Sequence, residues 1–319
     1  MSARTLLSHS DGADEAADLT TWCPREIQDS ELLWIDVQAP TDDDRLLLAS
    51  ALSLEDGTLE ALTSDDATPD AHVLDDGMLV TVQMPREDVT ESPYVLHILI
   101  GQRWAVTWHP DPIALLDEHH ERIQDQREVG RLTPVLLLVA MLDWHLDTFY
   151  AAAERLEHDV DELDEVALRG DDENVLARLV EMRQRIARVR RLLSLHRDMY
   201  SEVGRPDFMP EIEQREAEAL AALTHRLERA TEAVANAREM LIGTFDVHMT
   251  RTAQRTNDVM RLLTWVSVTL LPAAVLAGVM GMNFQVGLFE DPRMFWVVIA
   301  VMVLVALMTL IVARLRKWL

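Results

Sequence analysis

The chain has 319 residues, enough for one large soluble unit plus something smaller. Its 55 acidic residues against 29 basic ones give a formal net charge of −26. Such a surface repels nucleic-acid phosphates and attracts cations, although a solubility or salt-adaptation bias leaves the same composition. The one cysteine, Cys23, excludes a disulfide framework and a thiolate zinc site. The N-terminal "MSARTLLSHSDGADEAADL" lacks an apolar core segment, so no cleaved secretion signal is expected.

Residues 30–110 alternate short apolar runs with turn signals. "LLWIDVQAP" reads as a strand ending at Pro40. "TDDDRLLLASAL" opens a helix, with Thr41 as N-cap and three aspartates in the first turn, where the helix dipole favours anions. "MLVTVQM", "YVLHILI" and "RWAVTWH" form a β-meander by their pattern. From there the chain reads as helical. Thr133-Pro134 is a cap followed by proline at the first helical position, and the helix runs to Arg169, stopped by Gly170. A second helix follows to about residue 202. Residues 157–173, at the tip between the two, hold nine acids against Arg169. That run is either a solvated tip or, in a ring of subunits, an acidic collar that concentrates cations.

A third helix starts near Pro210 and meets no proline until Pro272. Continuous to Gly281, it would have about 70 residues and a length of about 105 Å. Leu220, Leu223, Leu227, Ala230, Val234, Ala237 and Leu241 recur at alternating spacings of three and four, a seam for packing against another helix. Either a stalk coupled to a membrane span or an ordinary coiled-coil anchor produces this seam.

The third helix ends in an apolar segment. Leu262 to Phe284 is 23 residues without a charge, and Phe295 to Ala313 is a second uncharged run of 19. Each is long enough to cross about 30 Å of hydrocarbon. The outer flanks are basic, with Arg255 and Arg261 before the first and Arg314, Arg316 and Lys317 after the second. The connecting "QVGLFEDPR" is short and slightly acidic, which predicts both termini in the cytoplasm and the loop outside. Two buried core helices of a soluble protein are the alternative.

Along the first span Asn257, Met260, Thr264, Ser267, Leu271, Ala274 and Gly278 share one face that is mostly small or polar. Small residues on one face usually mean close helix packing. Two spans cannot enclose a water path, so any pore needs several identical subunits around an axis. The stripe would then line that axis, and the Asn283 carboxamides would ring its outer mouth. Neutral amide oxygens can hold the shell of a hydrated Mg²⁺, which dehydrates reluctantly, without trapping the ion. Gly281 can take the left-handed backbone that ends a helix and exposes its carbonyls.

The segment "TNDVMRLLTWVSVTLLPAAVLAGVMGMNF", residues 256–284, resembles the signature of the CorA family of divalent cation channels. That family's first span ends in Gly-Met-Asn, has a proline midway, and is followed by a basic C-terminus like Arg314 to Leu319. "LWIDVQAP", "LSLEDGTLEAL" and "RWAVTWHP" are similar to its cytoplasmic domain. The resemblance implies a homopentameric channel: an α+β cytoplasmic funnel (α/β/α, a β-meander with flanking helices), a long stalk helix and two transmembrane helices. It implies a selectivity filter at Gly281, Met282 and Asn283, with Asn283 meeting the hydrated ion. Asn257, Met260, Leu263, Ser267, Leu271 and Ala274 would lie along the pore and Asp246 at its cytoplasmic mouth. The stripe has Thr264 where the family pattern favours Leu263.

Three departures from the family pattern stand out. The regulatory stalk aspartate of magnesium-gated members falls at Ala222, with Glu218 and His225 one turn away as replacement metal ligands. The external loop has Gln285 where an acid is common, with Glu290 and Asp291 later. Ala273-Ala274 follows Pro272 where Leu-Thr is typical. The expected boundaries are 1–132 for the α/β domain, 133–209 for the acidic helical hairpin, 210–258 for the stalk and 259–284 for the pore span. The external loop would be 285–293, and the second span with its basic tail 294–319.

His119, His120, His145, His158 and His196 show no metal-ligand spacing, and no Walker loop, dinucleotide turn or nucleophile elbow is present. No enzyme, organic cofactor or nucleic-acid partner is therefore expected. The reading is a divalent cation transporter in a lipid membrane, carrying Mg²⁺ by default, with Co²⁺, Ni²⁺ or Zn²⁺ as other cargo. A zinc-transporting, proton-coupled branch of the superfamily is one alternative, although it usually has Gly-Val-Asn. A non-conducting membrane-anchored scaffold or metal sensor is the other.

Overall fold

The computed structural model describes residues 3–9, 14–16, 31–64, 68–114, 116, 133–169, 174–205, 212–282 and 292–315. The chain forms two units, Met1–Thr244 and Phe245–Leu319.

In the first unit seven strands make one sheet: β1 (Ala3–His9), β2 (Asp14–Ala16), β3 (Glu31–Gln38), β4 (Asp70–Val73), β5 (Met78–Met84), β6 (Tyr94–Ile100) and β7 (Trp104–His109). Their order is β2-β1-β3-β7-β6-β5-β4. All pairs are antiparallel except β3 with β7, which run parallel from Leu33↔Trp104 to Gln38↔His109. The central strands are apolar on both faces because each face has its own core. From β3, Leu32 and Trp34 enter one cluster while Leu33, Ile35 and Val37 enter the other. Met78, Val80, Val82, Leu96 and Ile98 join the first, whereas Leu79, Leu99, Val106 and Trp108 join the second.

Two short helices, α1 (Asp42–Leu52) and α2 (Asp56–Leu62), cover the second face through Leu48, Leu59 and Leu62. The predicted cap of α1 is present as a full capping box: the Asp44 amide donates to Thr41 Oγ1 (3.3 Å), and the Thr41 amide donates to Asp44 Oδ2 (3.0 Å). A buried polar chain ties the parallel pair together. Trp34 Nε1 donates to Thr107 Oγ1 (3.0 Å), which donates to Asp36, and Asp36 also meets His109 Nε2 at 3.1 Å.

The opposite face is covered by α3 (Pro134–Arg169), α4 (Val175–Leu195), α5 (Arg197–Val203) and the first part of α6 (Gln214–Met280). Thr133 caps α3, accepting from the Leu136 amide at 3.2 Å. Acid-rich α3 is joined to arginine-rich α4 by Arg185–Asp159 (2.6 Å). The seam Leu220, Leu223, Leu227, Ala230, Val234, Ala237 and Leu241 is buried in the same cluster as Leu142, Phe149 and Leu156 of α3. The partner of the seam is thus a helix of the same protomer. Arg226 adds ion pairs to Asp143 (2.5 Å) and Asp147 (2.6 Å), and the Tyr150 hydroxyl donates to the Arg226 carbonyl (3.1 Å).

Where the sequence predicts one helix to about residue 202, the structure breaks it at His196, whose amide donates to the Leu193 carbonyl (3.2 Å). The ring of His196 accepts from the Gln83 amide of β5 (3.0 Å) at this break. Strands β1, β2 and β4 and helix α2 are additions to the sequence-based expectation. α6 has 67 residues, a length of about 100 Å, and carries Pro272 within it. The second unit consists of the remainder of α6 and α7 (Pro292–Leu315).

Candidate ion pathway

Within the second unit α6 carries a window long and apolar enough to cross a membrane, none of it buried. α3 passes the same composition test, but half of its window is buried inside the soluble unit, which marks it as a core helix. Arg293–Met308 of α7 is a shorter apolar stretch, with Phe295, Trp296, Val303, Leu304 and Met308 exposed. Large apolar side chains left bare in water would be costly, so a nonpolar solvent must surround them.

The residues singled out from the sequence lie along α6, all unburied. Asp246 is exposed, and so are Asn257, Met260 (54 %), Leu263 (59 %), Thr264, Ser267, Leu271 (67 %), Ala274 and Gly278. The hydroxyl of Thr264 donates to the Met260 carbonyl (2.7 Å) and that of Ser267 to the Leu263 carbonyl (2.9 Å). Both polar side chains are therefore satisfied by their own helix. Pro272 has no amide hydrogen, so the Val268 carbonyl lacks its usual intrahelical donor.

α6 closes by ordinary turns: the Gly281 amide donates to the Ala277 carbonyl (2.9 Å) and the Met282 amide to the Val279 carbonyl (3.2 Å). Gly281 does not take the left-handed backbone expected of it. A Cβ on Gly281 would meet the Ala277 carbonyl oxygen at 3.4 Å, an ordinary contact, and one on Gly278 would meet nothing within 4 Å. Among the described residues, none therefore requires glycine at either position. Gly281 and Met282 are exposed; Asn283, Glu290 and Asp291 lie outside the described residues.

Along the stalk Ala222, Glu218 and His225 are all exposed. Glu218 accepts from Gln214 Nε2 (2.9 Å), and His225 Nδ1 lies 3.3 Å from Glu228. Each has a neighbour on its own helix, and among the described residues no three His, Cys, Asp or Glu side chains converge on a metal-sized point. Of the acidic run, the described part from Glu157 to Arg169 forms the last turns of α3, with Asp161, Glu162 and Glu165 exposed. His119 and His120 lie outside the described residues. The fold does bring together two histidines that the sequence leaves far apart: the rings of His145 and His196 are 4.4 Å apart between centroids.

The family model described as "CorA-like Mg2+ transporter protein" matches residues 29–315. The cobalt/magnesium transport protein CorA of Methanocaldococcus jannaschii is 24 % identical over 301 residues, covering 91 % of this chain and 92 % of that one. The cobalt/magnesium transport protein CorA of Thermotoga maritima is 25 % identical over 209 residues, covering 64 % and 59 %. Among solved structures, the complete CorA magnesium transporter of M. jannaschii superposes with a TM-score of 0.82 at 22 % identity, covering 100 % of this chain and 99 % of the other. Full-length CmaX gives 0.73 at 18 % identity, covering 99 % and 98 %.

Proposed function

The chain belongs to the CorA-like Mg2+ transporter protein family, and from that membership we propose that it conducts hydrated Mg²⁺, and Co²⁺ or Ni²⁺, through a pore shared by five identical subunits. It is a membrane transporter with C-terminal transmembrane helices and not an enzyme. In this reading α6 lines the axis with Asn257, Met260, Leu263, Ser267, Leu271 and Ala274, while Thr264 and Gly278 border it. Bulky Met260, Leu263 and Leu271 form a constriction that closes by dewetting. Gly281, Met282 and Asn283 form the selectivity filter at the outer mouth, with Glu290 and Asp291 in the external loop. Asp246 stands at the cytoplasmic mouth, and both termini lie in the cytoplasm, as the basic flanks favour. Glu218 and His225 take the place of the regulatory acid that Ala222 lacks.

One observation supports this reading above the others. The face of α6 from Asn257 to Gly278 is unburied, and among the described residues neither Gly278 nor Gly281 beyond it is required by the protomer's own packing. A residue whose smallness is unused at home is suited to a close neighbour or a passing ion. A scaffold would use an apolar anchor but gain nothing from a carboxamide at its outer end.

The test is ion uptake into liposomes holding the purified full-length protein, using Mg²⁺, Co²⁺ and Zn²⁺ in parallel. Mg²⁺ and Co²⁺ should enter, and Asn283→Ala should reduce entry by at least tenfold while leaving the assembly intact. Normal uptake by an intact Asn283→Ala assembly would overturn the filter assignment. Entry of Zn²⁺ alone would favour the zinc-transporting reading.

A further inference from the structure

The first unit contains a buried histidine pair for which ion conduction has no use. His145 of α3 and His196, at the junction of α4 and α5, are both buried and in ring contact, and Phe149 packs edge-on against both rings. Every ring nitrogen is engaged. The Gln83 amide of β5 donates to His196 Nε2 (3.0 Å), and His196 Nδ1 donates to the Leu192 carbonyl (2.9 Å). His145 Nε2 donates to the Gln83 carbonyl (3.0 Å), and His145 Nδ1 lies 2.7 Å from the Tyr200 hydroxyl, which is also 2.9 Å from the Leu142 carbonyl. Gln83 thus meets one histidine through its amide and the other through its carbonyl.

The bonds to Gln83 and Leu192 fix His196 as a neutral ring, whereas the hydrogen bonds of His145 fit either charge state. A proton added to His196 could go only to Nε2, where it would oppose the Gln83 amide, donor against donor. His145 differs, because a proton on Nδ1 could point at the Tyr200 oxygen while the hydroxyl turns to the Leu142 carbonyl. Burial nevertheless opposes charge on both. It holds His145 well below the usual histidine range, with His196 adding to the effect, and lowers His196 to about 4.

Among the described residues, the charged groups around the pair do not supply a counter-ion; on β4, which packs against α5, Asp70 lies 3.1 Å from His72. On α3, Asp143 and Asp147 are bound to Arg226 of α6, and burial raises the Asp143 carboxyl above the usual carboxylate range against the pull of that arginine. From α5 the pair meets Tyr200, whose hydroxyl burial keeps protonated, and the adjoining Arg197 and Asp198 are exposed. On the outer side of Gln83 and Leu192 lies a partly open cavity of about 220 Å³, bordered by Arg86, Arg188, Arg191 and Glu91. Three of those four are cationic. The cavity is lined by Gln83 and Leu192, whose backbones bond His196.

We propose that His145 and His196 form a proton-sensitive latch that fastens the α4–α5 junction to strand β5 and releases it on acidification. The sign follows from linkage. Both histidines carry fewer protons in the closed state than in an opened one, so protons favour opening as pH falls below the ordinary histidine value of 6.5. Two independent sites regaining that value should raise the open-to-closed ratio about 100-fold between pH 7.5 and 5.5, and one site about 10-fold.

Hydrogen exchange of the full-length protein in detergent, corrected for intrinsic rates at each pH, tests this. Peptides covering 78–84 and 192–203 should lose protection about 100-fold between pH 7.5 and 5.5, while α1 should change by less than threefold. His196→Gln retains an acceptor for the Gln83 amide and should cut the response to about 10-fold. His145→Gln together with His196→Gln should abolish it. Wild-type protection that is flat with pH, or lost equally in α1, would overturn the latch. So would an undiminished response in a folded His196→Gln protein.

Discussion

Gly77 and Gly101 mark the two tight turns of the β4–β7 run, and they differ in what a methyl group would strike. At Gly77 a Cβ would lie 2.1 Å from the Ile100 carbonyl oxygen, part of the ladder between β5 and β6. At Gly101 it would lie 2.3 Å from the half-buried Trp104 ring, a side chain rather than backbone. Gly77→Ala should therefore cost about 2–3 kcal/mol, at the upper end for overpacking, and Gly101→Ala closer to 1 kcal/mol. Urea unfolding of the two variants gives the order, and equal costs would refute it. At this scale the sequence is informative where chemistry is local. Thr41 and Asp44 stand three apart, as a capping box requires, and both bonds form. His145 and His196 are 51 positions apart with no shared motif, and only the fold makes them neighbours.

α6 has two differently used stretches, and they make opposite predictions for the same kind of truncation. Leu227 is 6 % exposed within the soluble core, so Leu227→Ala should destabilise the first unit by about 2–5 kcal/mol. Leu271 is 67 % exposed, so Leu271→Ala should leave that unit's unfolding midpoint unchanged while altering cation uptake. A shift in the midpoint with Leu271→Ala, or none with Leu227→Ala, would reverse the assignment. The helices were legible because their periodicity runs for many turns, and α3 begins at its Thr133-Pro134 signal. The smaller elements were not. β4 has four residues, too few to establish a period, and α2 has seven. β1 is a strand by virtue of its register on β3, from Ala3↔Val37 to His9↔Glu31, a pairing the local sequence does not encode. The break at His196 falls on a residue bonded to Gln83, 113 residues earlier.

For the whole molecule, the unit Phe245–Leu319 exposes apolar surface that a lone protomer in water could not sustain. We expect a symmetric homo-oligomer, five-fold, in mild detergent, because two spans per chain cannot enclose a path for ions. Native mass measurement should give five times the 36.2 kDa protomer, and only monomers or dimers would refute the shared-pore reading. The spans themselves were legible from uncharged runs with basic flanks. Their arrangement was not, since the partners of Asn257, Ser267 and Gly278 would belong to other copies of the chain. The net charge of −26 read either as an attraction for cations or as a solubility bias; the structure divides part of it into acid-rich α3 facing arginine-rich α4.

The inward-bonded hydroxyls of Thr264 and Ser267 have a consequence for the sign of charge that α6 favours. Each has committed its only proton to a carbonyl four residues back, so what remains to face outward is a pair of oxygen lone pairs. These two hydroxyls offer acceptors and no donors. The water around a cation, with its hydrogens turned outward, would find partners in them, whereas chloride or sulfate would not. At Thr264 and Ser267 the helix therefore favours a hydrated cation over an anion without a formal charge.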